Sequence, residues 1–516
     1  MGSPAARGAG RGGPARRPAA QRRTAGQRTD PARRAAYDVL RAVAERDAYA
    51  NLLLPVLLTE RKLTGRDAAL ATELTYGALR GQGSYDAILA VCSDRDLDRI
   101  DPPLRPVLRL GAHQLLATRV GAHAAVATSV DLARDVAGAR PAGFVNAVLR
   151  RVATRDLQAW LEIAAPSRAD DLVGHLSVRY SHPRWVVSAL SEALGEHPAA
   201  GLAETEAALA ADGERPLVTL CAVPGRADTA ELAASGARPA RWSPFGAYLP
   251  EGAPAQVAAV AQGRAAVQDE ASQLAALALA RVDAVGADWG EARPSGVDTR
   301  RGDPGERPHG TLPLWLDLCA GPGGKARLLA GLARARWARL LAADVRPHRA
   351  RLVRAAVAGT TGAGIKGAAR SGTGVVVADG TAPAWRPGAF ARVLADVPCS
   401  GLGALRRRPE GRWRRSPEDV AALGPLQRAL LAAALDSVAL GGVVAYVTCS
   451  PHVAETRDVV ADVLAGRDDI GVLDAPAMLP EVPGLRCRDP HGAFAQFWPH
   501  RHGTDAIFLA LLRRLD

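Results

Sequence analysis

The sequence predicts a multidomain protein: an all-α N-terminal domain, a small α/β linking domain, and a C-terminal α/β domain built on a parallel sheet. Three observations predict it. At 516 residues the chain exceeds one ordinary domain and has material for several cores. Apolar residues recur at helical spacing through residues 33–155. From AVQDEASQL onward, short apolar runs alternate with helical segments, the pattern of parallel strands joined by crossover helices.

The N-terminus is the least foldable part. Residues 1–34 hold nine Arg against one acid, in a chain of net charge +12, among Gly, Pro and Ala. Such a stretch cannot bury enough apolar surface to fold, so residues 1–32 are expected to be a disordered tail. It reads either as a sequence-independent tether to phosphates or as a solvated basic extension in an Arg-biased chain. The bias is real, because the only lysines are Lys62, Lys325 and Lys366.

Residues 33–155 follow as helices. FVNAVLRRV places Phe144, Val148, Leu149 and Val152 on one face, and ATELTYGALRG and LRPVLRLGAHQLLAT repeat the pattern between Pro and Gly breakers. Such stripes are core, and no site residue is expected there. Residues 160–261 are mixed: a helical SVRYSHPRWVVSALSEAL, a strand-like PLVTLCAV and several Pro/Gly turns. The C-terminal domain is expected over 262–516, interrupted by flexible insertions at 282–311 and, after residue 358, at GTTGAGIKGAARSGTG. Within it, Leu426, Leu430, Leu431 and Ala434 form a helical stripe expected to face the core.

Several classes are excluded. The longest apolar stretch, LLAAALDSVALGGVVAYVTC, carries Asp436 and a Gly-Gly break, so it reads as helix, turn and strand and not as a membrane span. No signal peptide is visible. The six Cys form no CxxC pair and no Cys/His cluster with zinc-ligand spacing. Reduced thiols, a cytoplasmic location and no metal are expected.

PLWLDLCAGPGGKARLLAGLA reads as strand, Gly-rich turn and helix, in which glycines admit a ligand to the backbone and the helix start offers free N–H groups. The next strand, RLLAADVR, ends in Asp344, placed to accept from ribose hydroxyls; a third, VVVADG, ends in Asp379, placed to meet an adenine edge. A phosphate loop for ATP would need Ser or Thr after the lysine, where Ala326 stands. A dinucleotide motif matches loosely through Gly321, Gly323 and Ala326. S-adenosylmethionine, with a nucleoside and an amino acid but no pyrophosphate, fits best.

Two cysteines end apolar runs downstream of that turn: Cys399 in RVLADVPCSG and Cys449 in VVAYVTCSP. One such Cys is commonplace packing. Two, each followed by Ser, suggest thiolate chemistry beside a bound cofactor. Between them, LRRRPEGRWRRSPEDV sets six Arg about Trp413. Arg406, Arg407, Arg408 and Arg412 with Trp413 suit phosphate contacts beside a base-stacking surface; the plain alternative is a solvated basic helix start.

DLCAGPGGK, AADV, VVVADG, ADVPCSGLGALRRRPE, YVTCSP and HGTDAIF resemble, in that order, the motifs of the Sun/Nop family of RNA cytosine-5 methyltransferases. The helical region ahead of them resembles the NusB-like domain fused to the bacterial 16S rRNA members (the Sun or RsmB type). The resemblance implies a NusB-like N-terminal domain, a small RNA-binding linking domain and a Rossmann-like methyltransferase domain using S-adenosyl-L-methionine. It implies that Cys449 adds to cytosine carbon 6, that Cys399 assists release of the product, and that Asp396 contacts the exocyclic amine or ring nitrogen. Cofactor contacts fall on Cys319, Ala320, Gly321, Pro322, Gly323, Gly324 and Lys325, with Asp344, Asp379 and Asp396. Cys319 then serves structure or backbone contact, and Cys92, Cys221 and Cys487 are ordinary buried thiols.

The expected substrate is 16S rRNA or an assembling small ribosomal subunit, acted on by a monomer at an unpaired or flipped-out base. A DNA cytosine-5 enzyme would use the PC cysteine and need no TCS one. A non-catalytic RNA-binding assembly factor would tolerate loss of either thiol, and neither is lost.

Overall fold

The computed structural model describes residues 29–283, 312–358, 372–489 and 492–515. Residues 1–28 of the Arg-rich tail, nearly all of the 282–311 insertion and residues 359–371 of the second one lie outside the described residues.

The first helix, Pro31–Arg46, starts inside the stretch expected to be tail. Pro31 stands at its first position and Asp30 Oδ1 accepts from Arg33 N at 2.9 Å, so the cap sets the start. Six more helices through Ala139–Val152 bury Tyr37, Leu74, Ile88, Leu89, Leu108 and Val145 in one core. Trp160 and Leu161 join that core from the helix Leu157–Ala164, beyond the boundary expected at 155. The Trp160 indole donates to Val152 O at 2.8 Å, so the ring folds back onto the preceding helix.

The linking region has two parts. Helices Leu172–Arg179, Arg184–Leu194 and Ala203–Gly213 pack Leu176, Val186, Val187 and Leu209 against Leu402, Leu405 and Trp498 of the C-terminal domain. A small antiparallel sheet follows, of β1 (Val218–Ala222), β2 (Arg238–Pro239), β3 (Gly246–Leu249) and β4 (Ala265–Val267), in the order β2-β3-β1-β4. Strand β4 falls after residue 262, where the last domain was expected to begin. Its pairing with Leu220–Ala222 moves that boundary past Val267.

The C-terminal sheet comprises β5 (Leu314–Asp317), β6 (Arg339–Asp344), β7 (Thr373–Val377), β8 (Phe390–Asp396), β9 (Val438–Thr448), β10 (Ile470–Leu473), β11 (Ala495–Gln496) and β12 (Phe508–Arg514). Its order is β10-β12-β9-β8-β5-β6-β7, with β11 beside β12; β9, β8, β5, β6 and β7 are parallel and β12 is antiparallel. Both faces are covered, so the strands alternate between two cores and not between core and water. Val443, Ala445 and Val447 face the helices Glu270–Arg281 and Gly324–Ala335, while Val444 and Tyr446 face the helix Pro417–Ser437. In that last helix Leu430, Leu431 and Ala434 are buried as expected, but Leu426 is 39% exposed and Gln427 turns inward instead.

Strand β5 pairs with β6 on one side and β8 on the other, so the winding reverses at β5/β8. Ligands of such sheets bind in the crevice outside the carboxyl ends at that reversal. Among the described residues, no helix is long and apolar enough to cross a membrane.

Candidate active site

The carboxyl ends of five adjacent parallel strands carry the polar groups. Asp317 ends β5, Asp344 ends β6, Asp379 lies two residues past β7, Asp396 ends β8, and Cys449 follows β9 directly. Positions on neighbouring strands are separated by 27 to 79 residues of sequence, yet the sheet order sets them side by side along one edge.

The turn after β5 is built by local constraints. Gly323 has φ +112°, and a Cβ there would meet Ala356 Cβ at 2.6 Å and Val353 Cα at 3.1 Å. A side chain at Gly321 would strike Asp344 and Arg349. The turn is thus pressed against the next strand-helix unit and held there: Gly321 N donates to Asp344 Oδ2 at 3.1 Å, and Arg349 donates to Gly321 O at 2.9 Å. Ala320 and Gly323 are buried, while Pro322 is exposed.

Asp344 also accepts from Arg346 N at 2.9 Å, which leaves lone pairs on both oxygens for further donors. Asp379 is exposed, and Thr381 N and Oγ1 donate to it at 2.9 and 2.7 Å, which holds its carboxyl below the usual range. Lys325 turns away from the glycines to pair with Asp396 at 2.8 Å. Burial pulls its ammonium down, but Asp396 outweighs this and holds it above the ordinary value. Burial pushes the Cys319 thiol far up, which removes it as a reactive group.

Asp317 was not singled out from the sequence. It is fully buried, and among the described residues neither carboxylate oxygen has a well-formed hydrogen bond, only a weak approach from the Cys319 N–H. Burial, then the charge of Asp396, push it up to about 8. The only sequence signal was its place at the end of an apolar strand. A folded-state value above the unfolded one, roughly 4 for Asp, means the folded protein favours the neutral acid. The stability this contributes is complete below about pH 4 and is lost as pH rises through about 8. Asp317→Asn, neutral throughout, should therefore flatten the decline in melting temperature across that window in cofactor-free protein.

The carboxylates of Asp344, Asp379 and Asp396 on neighbouring strand ends disfavour a pyrophosphate, against both the ATP and the dinucleotide readings. They suit ribose hydroxyls, an adenine amine and an ammonium. The oxygens of Asp317, without a well-formed hydrogen bond, are open acceptors of that kind. S-adenosylmethionine fits this donor and acceptor set.

The thiols meet. Cys399 Sγ and Cys449 Sγ are 3.2 Å apart, although 50 residues separate them. The bond with Cys399 chiefly, and Lys325 further off, lower the Cys449 thiol against burial and the charge of Asp396; the Cys399 thiol is raised by the same bond and by burial. Either sulfur can donate in this contact, and the directions of the shifts make Cys449 the more acidic of the two. Gly403 N donates to Cys449 O at 2.9 Å, Gly403 O accepts from Ala506 N at 2.8 Å, and a Cβ at Gly403 would collide with the Ala506 carbonyl.

The basic segment departs from expectation. Arg412 is fully buried, donating to Arg80 O, Ser181 O and Asp212 O at 2.9, 3.2 and 2.6 Å, so it cannot serve as an RNA contact. Burial lowers it to about 10, still cationic at neutral pH. Arg406 donates to Gly503 O at 2.7 Å, and Arg407 pairs with buried Asp505 at 2.9 Å. Arg408 stands 5.8 Å from the Tyr49 ring centroid, and Trp413 packs at Gly83. Of the five, Arg408 and Trp413 are exposed. The segment is a seam between domains, fed by Arg density that composition alone could not distinguish from a phosphate-binding surface. Cys92 and Cys221 are buried and Cys487 is half-buried, away from the thiol pair.

Comparison with known proteins follows this division of the chain. Residues 307–513 match the family model described as 16S rRNA methyltransferase RsmB/F, and residues 30–154 match the NusB family. The Mycobacterium tuberculosis (strain H37Rv) protein Rv1407 is 48% identical over 98% of each chain. Ribosomal RNA small subunit methyltransferase B of Pseudomonas syringae pv. tomato is 30% identical, over 94% of this chain and 97% of that one. Among solved structures, PH0851 aligns with a TM-score of 0.71 over 94% of this chain and 99% of that chain at 20% identity, a likeness of fold.

Proposed function

The chain belongs to the RsmB/F family of rRNA methyltransferases, and from that premise we propose that it methylates carbon 5 of a cytosine in 16S rRNA through a transient adduct with Cys449. The observation that carries this reading is the pair of thiols 3.2 Å apart at the ligand edge of the sheet, one lowered and one raised.

Cytosine carbon 5 is too weak a nucleophile to take a methyl group unaided. Addition of the Cys449 thiolate to carbon 6 turns the ring into an enamine whose carbon 5 can attack, one hard step becoming two easier ones. S-adenosylmethionine, when bound, supplies an electrophilic methyl group. The turn Cys319–Lys325, Asp344, Asp379 and Asp396 would hold it, with Asp317 beneath. Asp396, held on one oxygen by Lys325 at 2.8 Å, keeps its other oxygen for the base's exocyclic amine. Once carbon 5 is methylated, a base such as water takes its proton, and the C–H pair forms the carbon 5–carbon 6 double bond. Cys449 leaves with the C–S pair as a thiolate that the Cys399 thiol beside it can hydrogen-bond. The exposed Arg408, beside Tyr49 of the helical domain, and Trp413, packed at Gly83, are the basic and aromatic groups of this segment left to meet the RNA backbone and a stacked base.

Transfer of labelled methyl groups by the purified protein to rRNA, with bisulfite sequencing of 16S rRNA from a deletion strain, tests the reading. Loss of one protected cytosine in the deletion strain supports it, and labelling of DNA in preference to RNA sinks it. Asp344→Ala should weaken S-adenosylmethionine binding by about 1.5–3 kcal/mol, the scale of hydrogen bonds to a charged group. Calorimetry showing unchanged affinity would take Asp344 out of the site.

A further inference from the structure

We propose that Glu455 is the positioning residue that sets the two thiols against each other, acting through Ser400 on the step in which Cys399 assists release of the methylated base. The proposal rests on the adduct reading above.

Glu455 lies six residues beyond Cys449, at the end of the turn Val453–Glu455, and is fully buried. Its carboxylate reaches across to the other thiol's loop. Ser400 N donates to Oε1 at 2.7 Å, Ser400 Oγ donates to Oε2 at 2.5 Å, and Gln427 Nε2 donates to Oε1 at 3.1 Å. The same Gln427 Nε2 donates to Pro398 O at 2.9 Å. Both chain neighbours of Cys399 are thus tied to one carboxylate.

The Cys449 end of the link is equally fixed. Tyr446 Oη donates to Glu455 O at 2.8 Å and Glu455 N donates to His452 O at 3.0 Å. His452 N donates to Ser450 Oγ at 3.2 Å, and that hydroxyl lies 3.2 Å from Ser400 Oγ. Ser400, Ser450 and Glu455 are all buried, so the ring of contacts closes behind the thiols and not at the ligand edge.

A buried carboxylate is costly to desolvate, and an apolar side chain would fill the same space at lower cost. What the carboxylate adds is a fixed spacing between two loops that come from different strands. Attack requires Cys449, the base and the methyl donor. Release requires in addition that the Cys399 sulfur stay within reach of the adduct, and that sulfur sits between the two residues Glu455 anchors. The negative charge of Glu455 also joins the bond to Cys449, and burial, in keeping the proton on Cys399.

The test uses full-length protein carrying Glu455→Gln, which keeps the size and loses an acceptor. With rRNA and S-adenosylmethionine, single-turnover methylation should stay near wild type. The turnover number should fall roughly tenfold to a hundredfold, the scale of a misplacement of about 1 Å, and KM for RNA should fall with it, because kcat/KM reports only the steps up to methylation. A protein–RNA conjugate should accumulate on a denaturing gel, as a weaker form of Cys399→Ala. Methylation and turnover falling together without conjugate, or no change in either, overturns the proposal.

A second readout needs neither RNA nor cofactor. Diamide takes two electrons and two protons from the Cys399 and Cys449 thiols, leaving a disulfide and the reduced hydrazine. Closure should be fast in wild type and several-fold slower in Glu455→Gln, by mass spectrometry, roughly in line with the lost proximity. Equal rates overturn the proposal even if activity falls. Should Cys399→Ala itself trap no conjugate, the adduct reading fails, while the disulfide rates still judge the spacing. If Glu455→Gln does not fold, Ser400→Ala removes only the hydroxyl's bonds and should give the same two effects at smaller size; no effect on either overturns the proposal.

Discussion

Cys449→Ala is expected to abolish methyl transfer and every covalent adduct, whereas Cys399→Ala is expected to attack, methylate and then stall as a protein–RNA conjugate. The asymmetry comes from the shared hydrogen bond. It lowers the thiol of Cys449 and raises that of Cys399, so Cys449 is the one more readily ionised for attack. Without the nucleophile no enamine forms, and the rate should drop on the order of 10⁴-fold or more, as when a nucleophile acting as part of a unit is removed. Without Cys399, attack loses a hydrogen-bond donor but not its nucleophile, and the adduct has no thiol beside it to assist departure. A denaturing gel of each variant with RNA and S-adenosylmethionine reads both outcomes. If Cys449→Ala accumulates conjugate and Cys399→Ala forms none, the roles are reversed. If neither variant loses methylation, there is no covalent step.

The second large effect is expected at Arg412, far from the thiols in function though only 13 residues from Cys399 in sequence. Arg412→Ala removes the donor shared by three carbonyls, from the helix ending at Arg80, from Ser181 and from Asp212. Each buried acceptor left unpaired costs about 1–3 kcal/mol, so a loss of about 3 kcal/mol or more is expected, less if water enters the gap. Arg412→Lys should rescue only in part, because one ammonium cannot span the fan of acceptors a planar guanidinium reaches. Chemical denaturation should show the helical and catalytic parts separating into two transitions in Arg412→Ala. A single transition at the wild-type midpoint would remove Arg412 from the seam.

Much of the C-terminal domain was legible in the sequence because each strand there ends in a polar residue at a turn. Asp344, Asp379, Asp396, Cys399 and Cys449 were each visible as such ends, and the parallel sheet brings all five to one edge. What could not be read was anything decided by the other side of a contact. Leu426 was expected to face the core, yet the helix buries Gln427 against the thiol loop and exposes Leu426. Glu455 carries no motif signal in the sequence and is buried against Ser400. Asp317 was hidden in the motif that contains it. The Arg run around Trp413 had the right composition for RNA, but a charge pattern is blind to carbonyls supplied from 200 or more residues away. The helical domain's edge at 155 agrees with the family match to residue 154, with Trp160 packing back from beyond it, whereas the small sheet reaches past 262 for the same reason. Trp160 and β4 belong to the cores they pack against, not to the composition around them.

The seam also sets a clock on how the chain is made. The carbonyls of Arg80, Ser181 and Asp212 leave the ribosome long before their shared partner, Arg412, which follows them by 332, 231 and 200 residues. At about 5–20 residues per second, the last of these acceptors waits roughly 10–40 s for its donor. Through that interval the nascent helical half must stay soluble with those groups hydrated, on the strength of its own core of Tyr37, Leu74, Ile88 and Leu108. Docking against the later half is then a late event, gated by elongation and not by the intrinsic speed of helix packing. Codon changes that slow translation between residues 213 and 412 would lengthen the exposure of that unfinished surface without altering one atom of the finished protein.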